Sequence, residues 1–120
     1  MTLAARILIV LASLSGLLGV GLSAAAAHVT GGSLTTAAQF LLFHAPALLA
    51  LAALIAAGAV HPLLAQIAGY VIVLGLALFC GDLSRRAFSG MALFPRAAPT
   101  GGILLMIGWV MIGVSSLLNR

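Results

Sequence analysis

The chain has 120 residues, 64% of them hydrophobic and 5% charged, with one acid, Asp82, set against five arginines and no lysine. Water-soluble domains carry about a quarter charged residues, so no polar shell can enclose a globule of this composition, and the chain requires lipid as its solvent. The formal charge of +4 is divided between the chain ends and one loop, which excludes a nucleic-acid-binding stripe; the single cysteine, Cys80, excludes an internal disulfide and a thiolate metal cluster.

A membrane-spanning helix needs about 20 mostly apolar residues, and four such stretches follow one another. The first is expected over residues 5–27. Arg6, the apolar run from Ile7 to Leu22 and the small residues Ser23 to Ala27 imitate a secretory signal with an Ala-x-Ala cleavage site; we take the segment instead as a retained membrane helix. Ser15, Gly19, Ser23 and Ala27 recur at every fourth position and offer a stripe for close helix approach. His28 ends the helix ahead of Thr30-Gly31-Gly32-Ser33.

The second helix is expected over residues 34–59, with Ser33, Thr35 and Thr36 available to cap it. Ala45, Ala52 and Ala59 recur every seven residues, a spacing that the abundance of alanine explains equally well. His44 stands two residues before Pro46, where a kink would free a carbonyl for its ring. His28 and His44 fall in the same half of the membrane at depths differing by about 15 Å. That offset prevents both from gripping one small ion. A buried, hydrogen-bonded His44 is therefore expected over a haem or metal ligand.

The third helix is expected over residues 62–83, with Pro62 in its first turn and His61 a solvated turn residue. A carboxylate inside a membrane marks a functional suspect, and Asp82 is followed by Arg85 and Arg86 at the three- and four-residue spacings where helical side chains meet. One account is an interfacial ion pair that seals the helix end; the other is a proton or ion site. The first is expected, because a paired acid near the interface costs less than an isolated one at the centre. Cys80 is expected to pack as a small apolar residue. Residues 84–98 mix Arg85, Arg86 and Arg96 with Phe88, Met91, Leu93 and Phe94, a blend suited to the headgroup layer, with an anionic lipid as a candidate partner.

The fourth helix is expected over residues 100–118, after Pro99-Thr100-Gly101-Gly102 and closing on Asn119-Arg120. Gly101, Gly108 and Ser115 form a packing stripe at seven-residue spacing. Trp109, beside Gly108, is expected to fill a packing notch with its N–H seeking a partner. Unbroken apolar runs exclude barrel strands, and backbone groups in lipid must pair within their own segment. Short connections make neighbours antiparallel. The expected architecture is a single-domain, all-α integral membrane protein with four transmembrane helices in an up-down-up-down antiparallel bundle.

Several landmarks occur in an order that resembles a known family. They are the small-residue run from Gly21 to His28, Phe43-His44 with the apolar Ala47-Leu48-Leu49, Gly75 to Phe79 leading into Gly81, and Pro99-Thr100-Gly101-Gly102 followed by Gly108-Trp109. The chain is similar over nearly its whole length to the YgdD-like family of small membrane proteins, domain-of-unknown-function family four hundred and twenty-three, found in bacteria with mitochondrial relatives. The resemblance implies four helices and a membrane location, and supplies no activity. Two departures stand out: a shorter segment between His28 and His44, and Asp82-Leu83-Ser84-Arg85-Arg86 where relatives carry uncharged small and aromatic residues.

No second carboxylate, Ser-His-Asp set or metal-binding His-Glu motif is present, so neither catalysis nor a cofactor is expected. The expected role is a structural or accessory subunit of a larger inner-membrane assembly. Its partners would be the bilayer and other membrane subunits or further copies of the chain, and not nucleic acid. Two rivals stand beside it: a translocator of protons, ions or small solutes using Asp82, His28 and His44, and a haem- or quinone-binding subunit using His44. Arginine counts favour a cytoplasmic last loop, whereas the resemblance implies cytoplasmic chain ends; the ends are assigned to the cytoplasm.

Overall fold

The computed structural model describes residues 1–118, and Asn119 and Arg120, expected to close the last helix, lie outside the described residues. Four helices follow in chain order: α1 (Leu3–Ala26), α2 (Ser33–Ala56), α3 (Pro62–Ser89) and α4 (Ala97–Leu117). Each is long and apolar enough to cross a membrane.

Local chemistry sets the helix ends. Thr2 caps α1, its hydroxyl accepting from the Ala5 N–H at 3.2 Å. Pro62 occupies the first turn of α3, where its missing N–H is not needed. His61, partly exposed, does more than fill a turn: its Nδ1 accepts from the Leu64 N–H at 3.3 Å, and its backbone N–H donates to the Ser115 carbonyl at 2.8 Å. The expected hydroxyl cap on α2 is not used. Gly32 stands at the cap position without a side-chain bond, and Thr36 instead donates back to the Gly32 carbonyl.

Three boundaries differ by three residues or more from the sequence expectation, the first being the end of α2, which stops at Ala56 rather than reaching residue 59. α3 continues to Ser89 and stops at Gly90, whose φ of 73° suits a residue without a Cβ. Much of the expected interfacial segment is therefore helix. α4 begins three residues early because Pro99 lies inside its first turn rather than before it. Arg96, entering α4, has a φ of 67°, a left-handed conformation costing a non-glycine residue about 1 kcal/mol.

α1 packs on α2, α2 on α3 and α3 on α4, with a lighter contact between α1 and α3. Among the described helices the backbone of α4 approaches only that of α3. The molecule measures 49 × 26 × 19 Å, a slab about two helices thick.

Small residues set the closest seams, as expected where lipid removes the hydrophobic drive between helices. A Cβ added at Gly101 would lie 2.5 Å from the Phe79 nitrogen and 2.7 Å from the Gly75 carbonyl oxygen, so α3 and α4 meet backbone to backbone. On α1 the buried positions are Ala5, Leu8, Ala12, Ser15 and Gly19, alternating steps of three and four. Ser15 and Gly19 face α2, whereas Ser23 and Ala27 are exposed. Steps of four alone drift about 40° each around a helix, which carries the later members off the seam. Ala59 likewise sits exposed beyond the end of α2.

Candidate functional site

Two polar constellations lie within the helices, and each is completed inside the chain. The first begins at His44, at the midpoint of α2. Its Nδ1 lies 2.7 Å from the Phe40 carbonyl oxygen, one turn back. Its Nε2 lies 3.1 Å from the indole nitrogen of Trp109 on α4. The indole can only donate, so Nε2 accepts and the proton sits on Nδ1, donated to Phe40. The imidazole is neutral in this arrangement and both nitrogens are engaged. Iron ligation would require breaking the Trp109 bond.

The carbonyl involved is not the one that Pro46 deprives of a partner, which is that of Leu42, four residues before the proline. Ser15 serves the break more closely, donating to the neighbouring Leu41 carbonyl at 2.7 Å. Trp109 also differs from expectation. The notch at Gly108 is filled by Ile72, against which an added Cβ would collide. Trp109 instead remains 48% exposed and reaches sideways toward α2.

Phe40 and Phe79, which sequence reasoning misses, extend the constellation. Their ring centroids are 4.5 Å apart, Phe40 stacks on His44 at 6.0 Å, and His44 meets Trp109 at 5.7 Å. This aromatic row joins α3, α2 and α4 and lines a lipid-facing groove of about 550 Å³, with Pro99, Leu105 and Met106 completing its walls. The Phe40–His44 pair has a sequence signal, a four-residue spacing on one helix face. The other contacts arise only when distant helices meet.

The second constellation is centred on Asp82. No water reaches it: its exposure is 0%. Oδ2 accepts from Arg86 Nε at 2.8 Å, and Oδ1 accepts from the backbone N–H of Leu93 at 2.8 Å. Arg86 is half exposed and keeps the remainder of its guanidinium outside. Arg85, the other candidate partner, is exposed. The carboxylate thus closes the end of α3 and pins the following turn in one arrangement.

His28 is exposed in the turn after α1, with neither His44 nor Asp82 among its hydrogen-bond partners in the described residues. No group of three or more metal-ligating side chains assembles among them either. Cys80 is buried in the core to which all four helices contribute, and its Sγ lies 3.5 Å from the Ala37 carbonyl oxygen. Tyr70, not anticipated, ties α3 to α1 by donating to the Ala4 carbonyl at 2.7 Å.

Four apolar helices whose buried polar side chains, among the described residues, are all paired within the chain define a small multi-pass membrane protein. Residues 22–102 match the family model described as a protein of unknown function, DUF423, and the chain belongs to that family. It is 28% identical to the UPF0382 membrane protein YwdK of Bacillus subtilis over 92% of this chain and 96% of that protein. It is likewise 28% identical to the UPF0382 inner membrane protein YgdD of Escherichia coli over 93% and 90%. A Staphylococcus epidermidis UPF0382 membrane protein is 24% identical over 93% and 96%. No solved structure matches the chain.

Proposed function

We propose that the protein is a non-catalytic inner-membrane component that acts as a structural or accessory subunit of a larger membrane assembly. The observation that carries this reading is the internal closure of its polar groups. Both nitrogens of His44 and both oxygens of Asp82 are engaged by the chain itself. A translocation route or a catalytic site needs polar atoms left for substrate, and these are committed elsewhere. The outward faces of α1 and α4, with Leu17, Val20, Met106, Val110 and Trp109 exposed, are apolar surfaces that only lipid or another membrane helix can meet. The naming of the Escherichia coli relative as an inner membrane protein supports the location.

In this reading the chain termini are cytoplasmic. The family resemblance supports this orientation against the arginine count of the α3–α4 turn, and single-cysteine labelling from each side of the membrane tests the assignment. The subunit role is tested by extraction in mild detergent and native mass measurement. A discrete oligomer or a stoichiometric membrane-protein partner is expected. A strictly monomeric species with nothing attached overturns it.

A further inference from the structure

α3 is longer than its neighbours, with 28 residues against 24, 24 and 21. At 1.5 Å per residue it extends about 42 Å, whereas the hydrocarbon core of a bilayer is about 30 Å thick. Counted from Pro62, the core is crossed after about 20 residues, at Gly81 and Asp82. Arg85 and Arg86 therefore project beyond it, at the level of the lipid headgroups. The turn that follows adds Arg96, exposed at the start of α4. Asp82 neutralises one of these three charges and is itself sealed from water, leaving a net positive surface.

Phe88, Met91, Leu93 and Phe94 are exposed between these arginines. In water such side chains would be a liability. At the boundary of a membrane they enter the acyl region while the guanidinium groups remain among phosphates. The turn is also held in place rather than free, because the Leu93 N–H is bound to Asp82 and Arg86 is bound to the same carboxylate. An arginine stands at position 96 although the left-handed backbone there would suit glycine.

We propose that the end of α3 and the α3–α4 turn form a binding surface for the phosphate headgroup of an anionic phospholipid, with Arg85 and Arg96 as its principal contacts and Arg86 as a fixed third. The occupant is a lipid rather than free phosphate, because the flanking exposed apolar side chains match acyl chains and would serve no purpose toward a soluble anion.

The test uses the full chain in a neutral detergent. Binding of phosphatidylglycerol and of phosphatidylcholine is counted by native mass spectrometry, for the unaltered protein and for the double variant Arg85→Gln with Arg96→Gln. Both arginines are exposed, so the fold is left intact, and Arg6→Gln at the opposite membrane face serves as the control. Each arginine near a charged surface is worth about a fivefold change in affinity. Phosphatidylglycerol is therefore expected to bind about 25-fold more weakly to the double variant, with phosphatidylcholine and the Arg6→Gln protein unaffected. Equal binding of the two lipids by the unaltered protein overturns the proposal, as does a preference that survives the double substitution. Displacement of phosphatidylglycerol by an equal concentration of inorganic phosphate would identify a free-anion site and overturn it too.

Discussion

Trp109 donates its indole proton to Nε2 of His44 across a gap where the backbones of α4 and α2 do not meet. This bond, near mid-membrane, is the polar strut between two helices otherwise joined through α3. Hydrogen bonds between membrane helices average about 0.6 kcal/mol and reach about 1.7 kcal/mol. The buried imidazole and the tilted ring contact place this one toward the upper part of that range.

Trp109→Phe is expected to lower unfolding stability in detergent by about 1 kcal/mol, chiefly by leaving Nε2 without a donor. His44→Phe should cost a similar amount. The double variant should lose less than the sum of the two, and additive losses would show that the bond is not made.

The seam at Gly75 and Gly101 admits no side chain. Gly101→Ala must move backbone rather than a flexible side-chain tip, which costs about 1–3 kcal/mol, and Gly101→Leu should abolish folding. Gly113→Ala, on the open side of α4 with nothing within 4 Å, is the matched control. Thermal melts should separate the two alanine variants by several degrees.

Asp82 holds two donors of different kinds, so graded substitution separates them. Asp82→Asn keeps an oxygen for the Leu93 N–H but removes the charge facing Arg86, whereas Asp82→Ala removes both acceptors. Stability should fall from the unaltered protein to Asp82→Asn and again to Asp82→Ala, the last losing about 2 kcal/mol or more. Protease cleavage within residues 90–96 should rise in the same order.

Cys80 lies in the core with its thiol directed at a carbonyl. A membrane-permeant maleimide should leave it unmodified in the folded protein and label it fully after denaturation. Rapid labelling in the native state would contradict the packing of α2 against α3. Cysteines introduced for orientation mapping can then be read without removing it.

The four helices are legible in the sequence because hydrophobicity in lipid is a property of each segment alone. The Asp82–Arg86 pair is legible for the same reason, being four residues apart on one helix. Leu93 as the second partner is not, because a backbone N–H carries no sequence signature and meets Asp82 only when the turn folds back. The His44–Trp109 bond spans 65 positions and depends on how two helices are rotated, which a stripe of small residues constrains only loosely. Helix ends mislead where a residue has two uses: Pro99 suits both a break and a first turn, and the polar Ser84, Arg85 and Arg86 suit both a loop and a helix leaving the bilayer.

Because α4 leans its backbone on α3 alone, the order of synthesis can also serve as the order of assembly. The α1–α2 and α2–α3 seams need no backbone from the last segment. What then arrives is a single leaf, fastened along a glycine edge, at Ser115 by the His61 amide, and at mid-height by one indole. A chain lacking everything from Ala97 onward would keep two of the three principal helix seams and lose the one between α3 and α4.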